Sequence, residues 1–171
     1  MFILFAAPEA APFAKTGGLA DVAGSLPAAL RRLGVDARLV LPYYRVVQNQ
    51  SLPLKKMISG LVVPLGREKL KANILEGITE HGVPVYFVER EDFFDRPNLY
   101  GNASGDYYDN LERFLFFSHA VIKIAMHFPI RPDWIHCNDW QTGLIPAIMK
   151  GPPYWFKGIR TIFTIHNLGY Q

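Results

Sequence analysis

Residues Phe2, Ile3, Leu4, Phe5 and Ala6 form an unbroken apolar run. A strand with one face in water alternates apolar and polar residues, so a continuous run predicts a strand covered on both faces, as in a parallel sheet between helices. A loop from Pro8 to Gly18 follows, ending in Lys15-Thr16-Gly17-Gly18. Leu19, Val22, Ala23, Leu26, Ala29, Leu30 and Leu33 then recur at helical spacing, and Gly34 supplies the stop. Pro27 lies inside that pattern and predicts a kink, or a restart with Ser25 as a new N-cap. A second apolar run, Ala37 to Leu41, is closed by Pro42. Strand, Gly-bearing loop, helix and strand make a βαβ unit, whose crossover is expected to be right-handed.

Further along, Ile58–Pro64 and Leu70–Leu75 are β-type runs separated by Gly66 and charged residues, which predicts a hairpin. Val83–Val88 reads as another strand. Residues 93–109, with Pro97, Gly101, Gly105 and three tyrosines, read as a long surface loop. Leu111, Phe114, Leu115, Ser118, Val121, Ile122 and Ala125 fall on one face of a helix. Trp134–Cys137 is a short strand, Thr142–Lys150 a helix ended by Gly151-Pro152-Pro153, and Arg160–Ile165 a last strand. The order predicts an α/β fold: a doubly wound, mainly parallel Rossmann-like sheet with a β-hairpin insertion, in one domain spanning 1–171.

Charge and composition remove several functional classes. The chain has 171 residues, half of them hydrophobic, and a net charge of +3. Its basic residues are scattered, the densest groups being Arg31-Arg32 and Lys55-Lys56, so no basic stripe for nucleic acid is expected. No apolar run reaches the roughly 18 residues of a membrane span. The apolar opening has no basic residue before it and Glu9 interrupts it, which favours a buried first strand over a signal peptide. With Cys137 as the single cysteine, no intramolecular disulfide can form, as suits a cytoplasmic protein.

In doubly wound sheets ligands collect at the carboxyl ends of the strands. Three polar clusters are expected there: Lys15–Asp21, Asn138-Asp139-Trp140, and His166-Asn167. In the first, Gly17 and Gly18 precede a helix, where bare backbone and free N–H groups suit an anion, or simply make a turn. Lys15 adds a mobile positive charge. The dinucleotide fingerprint G-x-G-x-x-G is absent, and no acidic residue ends the second strand to hold a ribose. In the second cluster Asp139 can orient a substrate, Trp140 can lie beneath it or in the core, and His136 reads as a core histidine. Cys137 and His136 do not make a metal site, since no second cluster supplies the other ligands. In the third, His166 can donate, accept or shuttle a proton, and Asn167 can clamp hydroxyls. Tyr100, Tyr107 and Tyr108 can stack on sugar rings or pack the loop.

The run Pro8-Glu9-Ala10-Ala11-Pro12-Phe13 leading into Lys15-Thr16-Gly17-Gly18-Leu19-Ala20-Asp21-Val22 resembles the N-terminal signature of bacterial glycogen synthases and plant starch synthases. The likeness continues in Asp95-Arg96-Pro97, Tyr100-Gly101, Asp109-Asn110, His136-Cys137-Asn138-Asp139-Trp140-Gln141-Thr142-Gly143 and Thr164-Ile165-His166-Asn167-Leu168, covering essentially the whole chain. It implies a GT-B glycosyltransferase that moves glucose from ADP-glucose to an α-1,4-glucan with retention and without a metal or cofactor. The resemblance further implies that Lys15, Gly17 and Gly18 face the donor, and that Asp21 supports their loop. His166 and Asp139 would act at the transferred glucose, Asn167 would hold sugars, and Tyr100 would face the acceptor. A C-terminal nucleotide-binding domain that carries the family's basic pair is expected to be missing. The chain is therefore read as an incomplete N-terminal half, inactive alone and open to self-association through a sheet edge. The alternative is a non-catalytic glucan-binding module, or a half-site that needs a partner chain.

Overall fold

The computed structural model describes residues 1–151 and 156–170. Seven strands form one sheet: β1 (Phe2–Ala6), β2 (Asp36–Pro42), β3 (Lys55–Leu65), β4 (Glu68–Ile78), β5 (Pro84–Glu89), β8 (Trp134–Asn138) and β9 (Arg160–Thr164). A two-stranded ribbon, β6 (Gly101–Asn102) with β7 (Gly105–Asp106), stands apart from it. Across the sheet the order is β3-β4-β5-β2-β1-β8-β9. The block from β5 to β9 is parallel, while β3 and β4 add antiparallel partners beyond β5. The expected hairpin is β3–β4, and it extends the main sheet beyond β5.

All five residues of β1 are buried, as the unbroken apolar run required. β1 pairs with β2 on one side and with β8 on the other. The chain leaves β1 toward β2 and later returns on the opposite side, so the order of connection reverses between β1 and β8. A crevice opens at the carboxyl ends of the strands at such a switch point.

Helix α1 (Gly18–Arg32) runs unbroken through Pro27, with no restart there, and a short helix, α2 (Arg45–Gln48), follows β2. Ser25 is no N-cap; its hydroxyl donates to the Asp21 carbonyl one turn back, at 2.7 Å. Pro27 costs the helix one N–H donor, and its burial against the sheet offsets the loss. Gly24 lets the helix touch the preceding loop, since a Cβ there would lie 2.5 Å from the Ala11 carbonyl oxygen.

Helix α4 (Asn110–His127) is buried around most of its circumference, because it packs on β3 and also on α5 (Leu144–Lys150). Leu111, expected on the inner face, is exposed; Arg113, Phe116 and Phe117 take the inner positions. The predicted helix from Thr142 is divided into a 3-10 turn, Trp140–Thr142, and α5. Pro152 and Pro153, expected to end it, lie outside the described residues.

Residues 93–109 are more than a surface loop. They include the end of a short helix, α3 (Glu91–Phe94), and the β6–β7 ribbon, and Phe94 and Leu99 are buried. Arg113 is wholly buried, and its guanidinium donates to the carbonyls of Phe93 and Leu99 and to Asn110 Oδ1 at 2.7–2.9 Å. Arg96 adds a two-pronged ion pair with Asp109 at 2.6 and 2.7 Å. Outermost in the sheet, β9 leaves Ile162 and Phe163 about 40% exposed. No helix among the described residues is long and apolar enough to cross a membrane.

Candidate functional site

A cleft of about 330 Å³ opens at the β1–β8 switch point. The loop after β1 contributes Glu9, Thr16, Gly17 and Gly18; the turn after β8 contributes Asp139, Trp140 and Gln141. His166 and Asn167 follow β9, while Tyr100 and Asp106 come from the ribbon segment. Six of the eight expected site residues therefore share one cavity: Gly17, Gly18, Tyr100, Asp139, His166 and Asn167. The other two, Lys15 and Asp21, do not line it. Lys15 Nζ instead holds both Asp21 carboxylate oxygens at 2.6 and 2.8 Å, on a solvent-exposed face.

Gly17 is the N-cap of α1 with extended backbone, and Gly18 is its first residue. A Cβ at either position would meet nothing within 4 Å, and neither has a positive φ. Neither packing nor backbone conformation within this chain calls for glycine there. The space they leave opens into the cleft, and the N–H groups of the first turn of a 15-residue helix have no side-chain cap from Gly17.

Asp139 sits at φ 61° and ψ 178°, a region that non-glycine residues rarely occupy. Its surroundings hold it there: its N–H donates to the Thr164 carbonyl at 2.8 Å, and its Oδ1 accepts from the Trp140 N–H at 3.0 Å. The Thr142 N–H and hydroxyl both donate to its carbonyl. The strained turn aims the chain from β8 across the cleft floor.

Behind it, Asn138 is buried and its amide nitrogen donates to the carbonyls of Ala6 and His136, both at 3.2 Å. That fixes its Oδ1 as an acceptor, so the His166 Nε2 at 3.0 Å carries the proton of that bond. In the neutral ring Nδ1 is then left as an acceptor for a ligand hydroxyl. His136 is the expected core histidine: it lies against Phe5 with its Nε2 2.7 Å from the Thr164 hydroxyl. Burial pulls its pKa below the ordinary histidine value, with the neighbouring His166 adding to the effect.

The three tyrosines separate. Tyr100 lines the cleft, its hydroxyl donating to Glu9 Oε1 at 2.9 Å, and burial drives its pKa far up. Tyr107 packs under the guanidinium groups of Arg96 and Arg113, and Tyr108 is almost fully exposed. Trp140 lines the cleft and also packs inward, its ring meeting Phe114 edge-on.

Sequence reasoning missed Glu9, Asp106 and Gln141 as lining residues. Only 4% of Glu9 is exposed, and its carboxylate accepts from the Thr16 N–H, the Thr16 hydroxyl, the Gly17 N–H and Tyr100. The signal available was an acidic residue three positions after an apolar strand run. Gln141 has its buried Oε1 without a hydrogen-bond partner among the described residues.

Residues 2–171 match the family of starch synthase catalytic domains. The chain belongs to that family. Among its relatives, a glycogen synthase of Syntrophotalea carbinolica is 47% identical and one of Caldicellulosiruptor bescii 48%, each over the whole chain. The chain spans about 36% of the length of the first and 35% of the second. The catalytic domain of starch synthase IV from Arabidopsis thaliana, solved with ADP and acarbose bound, superposes with a TM-score of 0.86 at 33% identity. That match covers 99% of this chain and 34% of the Arabidopsis one. The mainly parallel sheet is accordingly that of a GT-B glycosyltransferase catalytic domain, and the starch synthase family sets the chemistry to be considered for the cleft.

Proposed function

We propose that this chain forms the sugar-facing half of a retaining glucosyltransferase site that moves glucose from ADP-glucose to the non-reducing end of an α-1,4-glucan. One observation carries the reading: Gly17-Gly18, Asp139, His166 and Tyr100, far apart in sequence, line a single cleft at the switch point. Glycosyl transfer develops positive charge on the sugar ring as the leaving group departs. In this reading the Asp139 carboxylate and the His166 imidazole face that ring, Asn167 holds sugar hydroxyls, and Tyr100 faces the acceptor. The glycine loop gives close backbone approach to the donor, and Lys15, released from Asp21, adds charge at its edge. No cofactor enters, since the donor's own diphosphate is the leaving group.

Departure of a diphosphate needs positive charge placed over it. Among the described residues the cleft is lined by Glu9, Asp106 and Asp139 and by no Lys or Arg. A second, nucleotide-binding domain is proposed to supply that charge, with the whole protein working in the cytoplasm. The acidic lining also favours one other reading, a half-site that on its own binds neutral glucan and not nucleotide.

The test is transfer of labelled glucose from ADP-glucose to glycogen by the protein carrying this chain. Gly17→Ala and Gly18→Ala should each lower the rate by about 100-fold, roughly 2.7 kcal/mol, with thermal stability unchanged. Full activity in both variants would overturn the placement of the donor. Residues 1–171 alone should give no sustained incorporation; turnover by them would remove the second domain from the proposal. Calorimetric binding of maltotriose but not ADP-glucose, with no transfer by the whole protein, would install the glucan-binding reading.

A further inference from the structure

We propose that Glu9 is a positioning residue that locks the glycine loop and Tyr100 into one frame, so that the two sides of the cleft are set by a single carboxylate. This rests on the transferase reading of the cleft but makes its own claim about which group holds it together.

The carboxylate is almost wholly buried, yet among the described residues it has no cationic partner; neutral donors satisfy it. A buried carboxylate without a counter-ion is costly unless its lone pairs are filled. Oε2 accepts the Thr16 N–H, together with a longer bond of 3.4 Å from the Gly17 N–H. Oε1 accepts the Tyr100 hydroxyl at 2.9 Å, and the Thr16 hydroxyl reaches both oxygens at 2.9 and 3.0 Å. The two loops so joined are 91 positions apart in sequence at the Tyr100–Glu9 bond. That bond and the buried side of the tyrosine ring fix where the Tyr100 aromatic face meets the cleft. The bonds to Thr16 and Gly17 consume the donors just ahead of α1, so the first-turn N–H groups left without an intrahelical acceptor are those of Gly18, Leu19 and Ala20.

The chemistry also separates position from charge. Glutamine at position 9 can turn its amide oxygen to Thr16 and Gly17 and donate from its nitrogen to the Tyr100 oxygen, preserving the frame without the charge. Alanine preserves neither. A group that acted only by stabilising the fold would change melting temperature without changing how the enzyme handles its two substrates.

The experiment uses the protein carrying this chain and compares wild type, Glu9→Gln, Glu9→Ala and Tyr100→Phe. Initial rates with ADP-glucose and maltooligosaccharide are measured well below the melting point. Glu9→Ala is expected to lose at least about 100-fold in kcat, and Glu9→Gln less than about 10-fold. Tyr100→Phe, which cuts one strand of the frame, should mainly raise the acceptor KM. Adding Tyr100→Phe to Glu9→Ala should cost nothing further, since the bond it removes is already gone. Additive losses, or a Glu9→Ala enzyme with wild-type kcat and both KM values, would overturn the proposal.

Hydrogen exchange read by mass spectrometry gives a measure independent of turnover and of the donor's identity. Glu9→Ala should speed exchange in both 14–19 and 99–107, and Tyr100→Phe in 99–107 alone. Unchanged exchange in both segments of a folded Glu9→Ala protein would also overturn it. A wild-type protein inactive with ADP-glucose, but showing this exchange pattern, would defeat the transferase reading and leave the frame standing.

Discussion

At the β1–β8 seam neighbouring strands run the same way, so the loops after β1, β8 and β9 all leave on one edge and meet. Across β3, β4 and β5 the directions alternate, and successive loops leave on opposite edges. The antiparallel half nevertheless has the roomier recess, about 650 Å³, lined among others by Gln48, Lys71, Asn73, Glu89 and Arg90. Its polar groups are largely spent on one another. Asn73 donates to Glu89 at 2.7 Å and accepts from the Gly60 N–H at 3.1 Å, holding a bulge where Gly60 has a φ of +67°. Arg45 pairs with Asp95, and Arg90 with Asp92. In the parallel half, Gln141 keeps a buried acceptor unfilled and Gly17-Gly18 leave space that nothing in the chain requires. Arg90 Nε in the antiparallel recess is likewise buried without a partner among the described residues, so neither volume nor an unspent polar group marks the working half of this sheet; the unneeded space at Gly17-Gly18 does.

Three substitutions press on that contrast. The largest effect is expected at Arg113, which ties the Tyr100-bearing segment to the scaffold shared by both halves. Arg113→Met strips donors from the buried carbonyls of Phe93 and Leu99 and should cost about 3–5 kcal/mol in denaturant unfolding. A loss below about 1 kcal/mol would mean the segment holds itself.

Next come His166→Ala and Asn73→Ala as a crossed pair. His166→Ala should reduce glucose transfer by about 100-fold, equivalent to about 2.7 kcal/mol, and leave stability nearly unchanged. Asn73→Ala should cost about 1–2 kcal/mol of stability and leave transfer alone. If Asn73→Ala were the one to lose transfer, the assignment of the two halves would be reversed.

The smallest effect is a pH dependence from His136. Its folded pKa lies below the unfolded value near 6.5 because burial disfavours the imidazolium. The unfolded state thus takes up a proton first, and stability falls as pH drops below about 6.5 toward the folded pKa. The slope in that window is at most about 1.4 kcal/mol per pH unit, and it vanishes above it. His136→Gln should flatten the curve just below about pH 6.5 in urea titrations; an unchanged slope would place the titration elsewhere.

The parallel core could be read from the sequence because its signals are local and redundant. Five consecutive apolar residues in β1 and a helical repeat after Gly18 each admit few structures, and strand direction then forces the three polar clusters together. What escaped depends on partners distant in sequence. Leu111 and Arg113 exchange the roles that periodicity suggests, because α4 is covered on more than one side and because the Phe93 and Leu99 carbonyls call for a guanidinium. Ser25 and Pro27 look like a helix start, yet the packing of α1 on the sheet carries the helix through. Lys15 looked like a cleft residue, but an exposed ion pair with Asp21 satisfies it at the rim. Glu9 was hidden within a family signature whose glycines drew the eye, and only the folded loop shows its carboxylate turned inward.

The order of the strands also has a consequence in time. β1 is made first, but its second neighbour, β8, lies far downstream: the bond from the Phe2 N–H to the Asp133 carboxylate spans 131 positions. At about 5–20 residues per second of synthesis, one edge of an entirely apolar strand waits on the order of ten seconds for its partner. During that interval β2 and β5 can already assemble on the other edge, while the side that will become the cleft stays open. The nascent chain thus holds an unpaired strand edge on the side where its site will later form.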